Sequence, residues 1–174
     1  MADKNSTFQK RKIPLHERAT HYNITFPSYP KLIFDKGWLY GVWLVGGNYE
    51  SVSGYYGGYP PSYLKRIVSL FPDVDSVLHL FSGRVEHFNW KTEKTFDINP
   101  ELSPDYVGDV VDIDSIVKEK FDLVIADPPY EEKDFEVYGT VKFNKSDVIK
   151  KIANLVVVGG FLVWLDLFLP MYRR

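Results

Sequence analysis

Phe121-Asp-Leu-Val-Ile-Ala-Asp-Pro-Pro-Tyr130 is the stretch whose reading decides the fold. Phe121 to Ala126 is apolar and β-branched apart from Asp122, the pattern of a strand buried on both faces. Asp127-Pro128-Pro129-Tyr130 ends that strand abruptly. The two prolines remove two backbone donors, fix φ and hold the preceding residue extended, so no helix starts there. A stiff carboxylate and a stiff aromatic ring are thereby expected at the carboxyl end of a central strand. In open α/β sheets that edge is where ligands bind. A plain strand-ending turn capped by Asp127 is the alternative.

Working outward, strands alternate with helical segments, the signature of a parallel sheet in an α/β fold. Ser76 to Phe81 reads as a strand ending in Ser82-Gly83, Thr95 to Asp97 as a second and Tyr106 to Asp109 as a third. Asp114 to Lys120 follows as a short helical piece, then Phe121 to Ala126 as the fourth strand. Lys145 to Leu155 reads as a helix with Val148, Ile149, Ile152 and Leu155 on one face. Gly159-Gly160 reads as a turn into a fifth strand, Phe161 to Leu165.

Upstream, Ser62 to Phe71 predicts a helix with Tyr63, Leu64, Ile67, Val68 and Phe71 on one face, ended by Pro72. Before it, Gly54 to Ser62 is rich in Tyr, Gly and Pro and cannot be a regular helix. Leu32 to Phe34 and Trp38 to Val45 predict a hairpin around Asp35-Lys36-Gly37. Residues 1 to 26 are polar and lack apolar periodicity, and read as an arm made locally basic by Lys10, Arg11, Lys12 and Arg18. The expected organisation is that arm followed by a single domain over 27–174.

The chain of 174 residues is long enough for one domain with a proper core, and 45% hydrophobic with 25% charged residues describes an ordinary globular protein. A net charge of −2 supplies no global basic field for nucleic acid, which leaves only a local patch. The absence of cysteine excludes disulfides, thiolate metal sites and thiol catalysis. Met1 to Lys12 has no apolar central region, so no signal peptide is expected, and Leu155 to Met171 is too interrupted and too short to span a bilayer. No membrane association and a cytoplasmic location are the expectation.

Acidic residues and glycines at the ends of consecutive strands suit a nucleoside-containing cofactor. Gly83 lets the backbone approach the ligand. Asp97, ending the second strand, could accept from ribose hydroxyls. Asp109, ending the third, could accept from an adenine amino group, since a carboxylate is a pure acceptor. An ordinary turn-forming role is the alternative for both.

Asp127-Pro-Pro-Tyr130 resembles the catalytic motif of S-adenosylmethionine-dependent amino-methyltransferases, above all those that methylate adenine N6 in DNA. Ser76 to Gly83 is similar to that family's cofactor loop, and Asp97, Asp109 and Asp127 fall in its order. Tyr59-Pro-Pro-Ser-Tyr-Leu-Lys-Arg66 resembles a Pro-containing helix that packs beside the cofactor in one subgroup. Gly159 to Val163 resembles the turn into the fifth strand, and the chain is also similar to short methylase-like proteins of bacteriophages. The resemblance covers about Tyr59 to Leu169. It implies a Rossmann-like, largely parallel methyltransferase sheet with an N-terminal hairpin extension. Phe81, Ser82, Gly83, Asp97, Asp109, Tyr59 and Pro60 would hold S-adenosyl-L-methionine, and Asp127, Pro128, Pro129 and Tyr130 would be catalytic.

Two departures from the family's pattern stand out. The loop Phe81-Ser-Gly-Arg-Val-Glu86 has one glycine where two or three are usual, and the family's C-terminal β-hairpin is expected to be lacking. The implied chemistry is direct methyl transfer to an exocyclic amine. Asp127 and the Pro128 carbonyl would accept the amine hydrogens, and Tyr130 would stack on the base, worth ~1–3 kcal/mol. A duplex base must first be extruded, at about a few kcal/mol. The expected partner is nucleic acid, DNA before RNA, and a homo-oligomer or a separate recognition subunit is left open. The rival readings are an RNA base amino-methyltransferase and a shortened, non-catalytic subunit that binds a cofactor or a partner.

Overall fold

The structure is a computed structural model that describes residues 12–43, 59–60, 62–130, 134–135 and 139–166. The chain divides into two compact units, Met1–Gly47 with Ser62–Asp73, and Asn48–Pro61 with Val74–Arg174. The expected features that rest on Lys10, Arg11, Leu44, Val45 and Gly54 to Gly58 lie outside the described residues.

The first unit holds α1 (Leu15–Thr25), β1 (Ile33–Asp35), β2 (Trp38–Tyr40) and α2 (Tyr63–Leu70). Helix α1 lies inside the stretch expected as a polar arm. Its buried stripe is Arg18, Ala19 and Tyr22, so the residue that anchors it is charged and no apolar periodicity advertises it. Arg18 is buried because Asp73 takes both ends of its guanidinium at 2.7 Å and the Leu70 carbonyl accepts at 2.8 Å. Strands β1 and β2 pair antiparallel through a two-residue turn with Asp35 opposite Trp38. Lys36 and Gly37 both take positive φ, as a type I′ turn requires. Asn23 pins the hairpin to α1, donating to the Leu32 carbonyl at 2.9 Å and accepting from its N–H at 2.8 Å. Tyr63, Leu64 and Ile67 of α2 are buried as the periodicity predicts, and so is Arg66, which it does not predict.

The second unit is a five-stranded parallel sheet, so the α/β class and the separate two-stranded hairpin are both present. Its strands are β3 (Ser76–Leu80), β4 (Thr92–Asp97), β5 (Tyr106–Val107), β6 (Phe121–Ala126) and β7 (Val156–Trp164), in spatial order β5-β4-β3-β6-β7. The described residues also hold two helices, α3 (Ile113–Ile116) and α4 (Lys145–Ala153). Strand β6 runs over the residues expected, with Leu123, Val124, Ile125 and Ala126 all fully buried. One face of β3 and β6, Leu78, Leu80, Val124 and Ala126, joins Ile113, Val148 and Ile152 in a single core cluster. Asp122, the polar exception in β6, accepts from the Ser76 N–H at 3.1 Å and the Ser76 hydroxyl at 3.0 Å, and so ties the start of β6 to β3.

Several boundaries differ from expectation: the helical piece expected over Asp114–Lys120 is α3, which ends at Ile116 because Val117 turns extended, and β2 ends at Tyr40. Strand β4 begins at Thr92, because Thr92 and Glu93 pair with Ser76 and Val77 although this end of the strand is not fully buried. Strand β5 stops at Val107, where the chain turns into a short 3-10 helix capped by Asp109. Gly159-Gly160 lies inside β7 instead of turning into it. The register passes from Phe121 opposite Val156 to Leu123 opposite Phe161, an irregularity that Gly159 absorbs with φ of 72°. A Cβ on Gly160 would meet the Asp122 carbonyl at 2.7 Å, so the sheet needs glycine there. Among the described residues, no helix is long and apolar enough to cross a membrane.

Candidate active site

All five strands are parallel, so their carboxyl ends share one edge. The chain runs outward from β3 through β4 to β5, then returns to the other side of β3 to form β6 and β7. The change of direction therefore falls between β3 and β6, where open α/β sheets leave a crevice for ligands. Leu80 stands opposite Ala126 in that register, which sets Phe81 to Gly83 beside Asp127 to Tyr130.

Asp127 follows the last residue of β6, and Pro128 and Pro129 behind it are both buried. The Tyr130 hydroxyl turns back to donate to Asp127 Oδ1 at 2.5 Å. Asp134 Oδ2 accepts from the Tyr130 N–H at 3.1 Å, and so braces the backbone after the prolines. Burial pushes the Asp127 carboxyl up from its ordinary 3.8 to about 7; the Tyr130 hydrogen bond pulls it down and the nearby Asp166 carboxylate pushes it up. The side chain retains some solvent contact at its rim, though protein surrounds most of it.

Asp166 follows β7 and is itself nearly inaccessible to solvent. It is held by Lys145 Nζ at 2.7 Å and by the Trp164 indole N–H at 3.1 Å. Lys145, the first residue of α4, also reaches the Tyr130 carbonyl at 3.4 Å. Asp166 meets the same criterion as Asp97, an acidic residue at the carboxyl end of a strand.

In the loop after β3, Phe81 and Gly83 both take positive φ, 56° and 52°. Phe81 lies in the left-handed region without being glycine, which is a strained position. Its ring stacks on Phe143 at 6.0 Å, and Phe143 meets Phe135 edge-on at 5.1 Å. The described part of the segment after Tyr130 is thus packed onto the loop after β3. Ser82 is buried and its hydroxyl has no hydrogen-bond partner.

Asp97 ends β4 and accepts from the Gly83 N–H at 2.8 Å and the Asn99 N–H at 2.9 Å. It therefore shapes the loop after β3 and its own turn, while a carboxylate with both bonds made keeps lone pairs for further donors. Asp109 caps the helix after β5 by accepting from the Val111 N–H at 3.1 Å, and its other oxygen accepts from the Thr140 hydroxyl at 3.0 Å. Its acceptor capacity already has structural uses. The Tyr59 hydroxyl lies 3.3 Å from His79 Nδ1, whose other nitrogen lies 3.1 Å from Glu93. Pro60 beside it is half-buried. Tyr55, Tyr56, Pro61, Glu131, Glu132 and Lys133 lie outside the described residues.

The sheet edge thus brings Phe81, Ser82, Gly83 and Asp97 together, with Asp127 and Tyr130 on the neighbouring strand. Ser82 Oγ and the remaining lone pairs of Asp97 are polar groups that a hydroxyl- or amino-bearing ligand could engage. Among the described residues, no group of three His, Asp or Glu could hold a metal ion. No family model, curated protein or solved structure matches the chain.

Proposed function

We propose that the chain is an S-adenosylmethionine-dependent methyltransferase of the Rossmann-like type, acting on an exocyclic amine, with adenine N6 in DNA the leading substrate. One observation carries the reading: a buried carboxylate and a tyrosine, bonded to each other, end the strand beside the change of direction in a parallel sheet. The crevice is where such sheets take nucleotide-like ligands, and Asp127-Pro-Pro-Tyr130 is the motif that resembles the amino-methyltransferases.

Gly83, Ser82 and Asp97 would hold the cofactor, which supplies an already activated methyl group on a sulfonium. Asp127 in its ionised form accepts one hydrogen of the target amine, and the Pro128 carbonyl accepts the other. This fixes the nitrogen lone pair toward the methyl donor and gains from orientation rather than from covalent chemistry. Tyr130 offers its ring to the base. Its bond to Asp127 occupies one carboxylate oxygen, so the amine uses the remaining lone pairs or displaces the hydroxyl. Lys145 holds Asp166 and touches the tetrapeptide backbone, which keeps Asp127 and Tyr130 in place.

A second reading, a partner-binding subunit, draws on β7. This long apolar strand is outermost in the described sheet and exposes Val158. Calorimetric titration of the whole chain with S-adenosylmethionine, followed by methyl-transfer assays on DNA and RNA, separates the two. Micromolar binding and transfer that Asp127→Ala abolishes support the enzyme. Absence of cofactor binding by the wild-type chain overturns it and leaves the partner-binding subunit.

A further inference from the structure

The first unit buries two arginines, and they are treated differently. Arg18 is neutralised by Asp73 through two bonds of 2.7 Å. Arg66, equally buried at 1% exposure, has no carboxylate partner among the described residues, and its Nε and Nη1 have no hydrogen-bond partner. Its guanidinium lies 4.0 Å from the centre of the Tyr29 ring and 5.2 Å from that of Trp43. Hydrogen bonds from Ser62 and Arg66 hold the Tyr29 phenol below the usual tyrosine range, so this contact is polar as well as stacked.

Two neighbours repeat the deficit. The Trp43 indole N–H and the Tyr22 hydroxyl are also buried without partners, and the two rings stack at 5.6 Å. Arg66 acts electrostatically on the Tyr22 phenol, so all three side chains belong to one cluster. A guanidinium cannot shed its proton to escape burial. Buried donors without acceptors are rare in native proteins, and each one calls for a missing partner such as an ion or an ordered water. A buried charge needs a counter-charge. Arginine and an indole N–H can only donate, so the missing partner is an acceptor, and the guanidinium makes it an anion.

We infer that Arg66, Trp43 and Tyr22 form a binding site in the first unit for a small oxyanion, a phosphate or carboxylate group. The site is independent of the proposed methyl transfer. The π-faces on the guanidinium leave its edges for the anion, which is how arginine recognises planar and tetrahedral oxyanions.

The test is thermal unfolding of the full chain in inorganic phosphate or in acetate, at constant pH and with sodium chloride holding ionic strength fixed. A saturable rise of the midpoint with phosphate or with acetate supports the site, and the more effective probe names the group. At an anion concentration 100-fold above its Kd, the unfolding equilibrium constant falls about 100-fold. Arg66→Met, which fills the space without the charge, is expected to lose the rise. Trp43→Phe, which keeps a ring without the donor, is expected to weaken binding severalfold. If Arg66→Met does not fold, Arg66→Lys serves instead, and its single ammonium is expected to weaken binding at least about tenfold. No saturable rise with either probe overturns the site, as does an equal rise in Arg66→Met.

Discussion

The Tyr130 hydroxyl donates to Asp127 Oδ1 at 2.5 Å, so the two ends of Asp127-Pro-Pro-Tyr130 close on each other across the buried prolines. The bond favours the ionised carboxylate and partly offsets the burial that pushes Asp127 up to about 7. Tyr130→Phe keeps the ring for stacking and removes the donor. A hydrogen bond to a charged group contributes about 1.5–3 kcal/mol, so Asp127 should titrate about one unit or more higher in the variant. The rising limb of methyl transfer against pH should move up accordingly, with activity recovered in alkali. An unmoved limb with uniformly lower activity would mean that Tyr130 acts through its ring alone.

Stability should respond to Asp127 in the opposite sense from most carboxylates. Its folded pKa of about 7 lies above the ordinary 3.8, so between those values the folded chain holds a proton that the unfolded chain has released. Stability from this group is therefore complete below about pH 4 and lost as pH rises through about 7. The full shift corresponds to about 4 kcal/mol, less to the extent that the rim of the side chain is hydrated. Denaturant unfolding from pH 4.5 to 7.5 should show a decline that Asp127→Asn abolishes.

Lys145 controls the same carboxylate through Asp166. The 2.7 Å ion pair neutralises a nearly inaccessible carboxylate whose charge pushes Asp127 up. Lys145→Met exposes Asp127 to the full Asp166 charge. The pH limb of activity should rise in Lys145→Met and return toward the wild-type position in the double variant with Asp166→Asn. A limb that stays put in both would assign the pair to fold alone.

How legible these relationships were depends on sequence distance. Strand β6 could be read in full because a run buried on both faces, stopped by two prolines, carries its whole signal locally. The Lys145–Asp166 pair could not, since it joins a helix start to a strand end 21 residues on. Helix α1 escaped because Arg18 occupies the place an apolar residue would mark, and its partner Asp73 lies 55 residues away. Gly159-Gly160 misled because glycine pairs signal turns, whereas here they let β7 stay paired through a change of register. Asp97 ends its strand as read, while Asp109 lies two residues past β5, and their bonds to Gly83, Asn99 and Thr140 depend on how the loops meet.

The Arg18–Asp73 pair sets the expected cost of disturbing the first unit. Asp73 also accepts from the Ile13 N–H at 2.9 Å, and the Arg18 guanidinium beside it holds its carboxyl below the ordinary range against the opposing effect of burial. Removing one partner strands the other charge in the interior, so Asp73→Ala should cost about 3–5 kcal/mol. Because the folded pKa is depressed, this stability is present above about pH 4 and is lost as pH falls through the folded value. That acid limb lies below the window assigned to Asp127, so the two groups can be separated in one titration of unfolding free energy. Arg18→Met with Asp73→Leu, which replaces the pair by apolar groups, should recover most of the loss. Failure of the double variant to recover it would show that the bonds from Asp73 to Ile13 and from Arg18 to Leu70, rather than the ion pair, hold α1 in place.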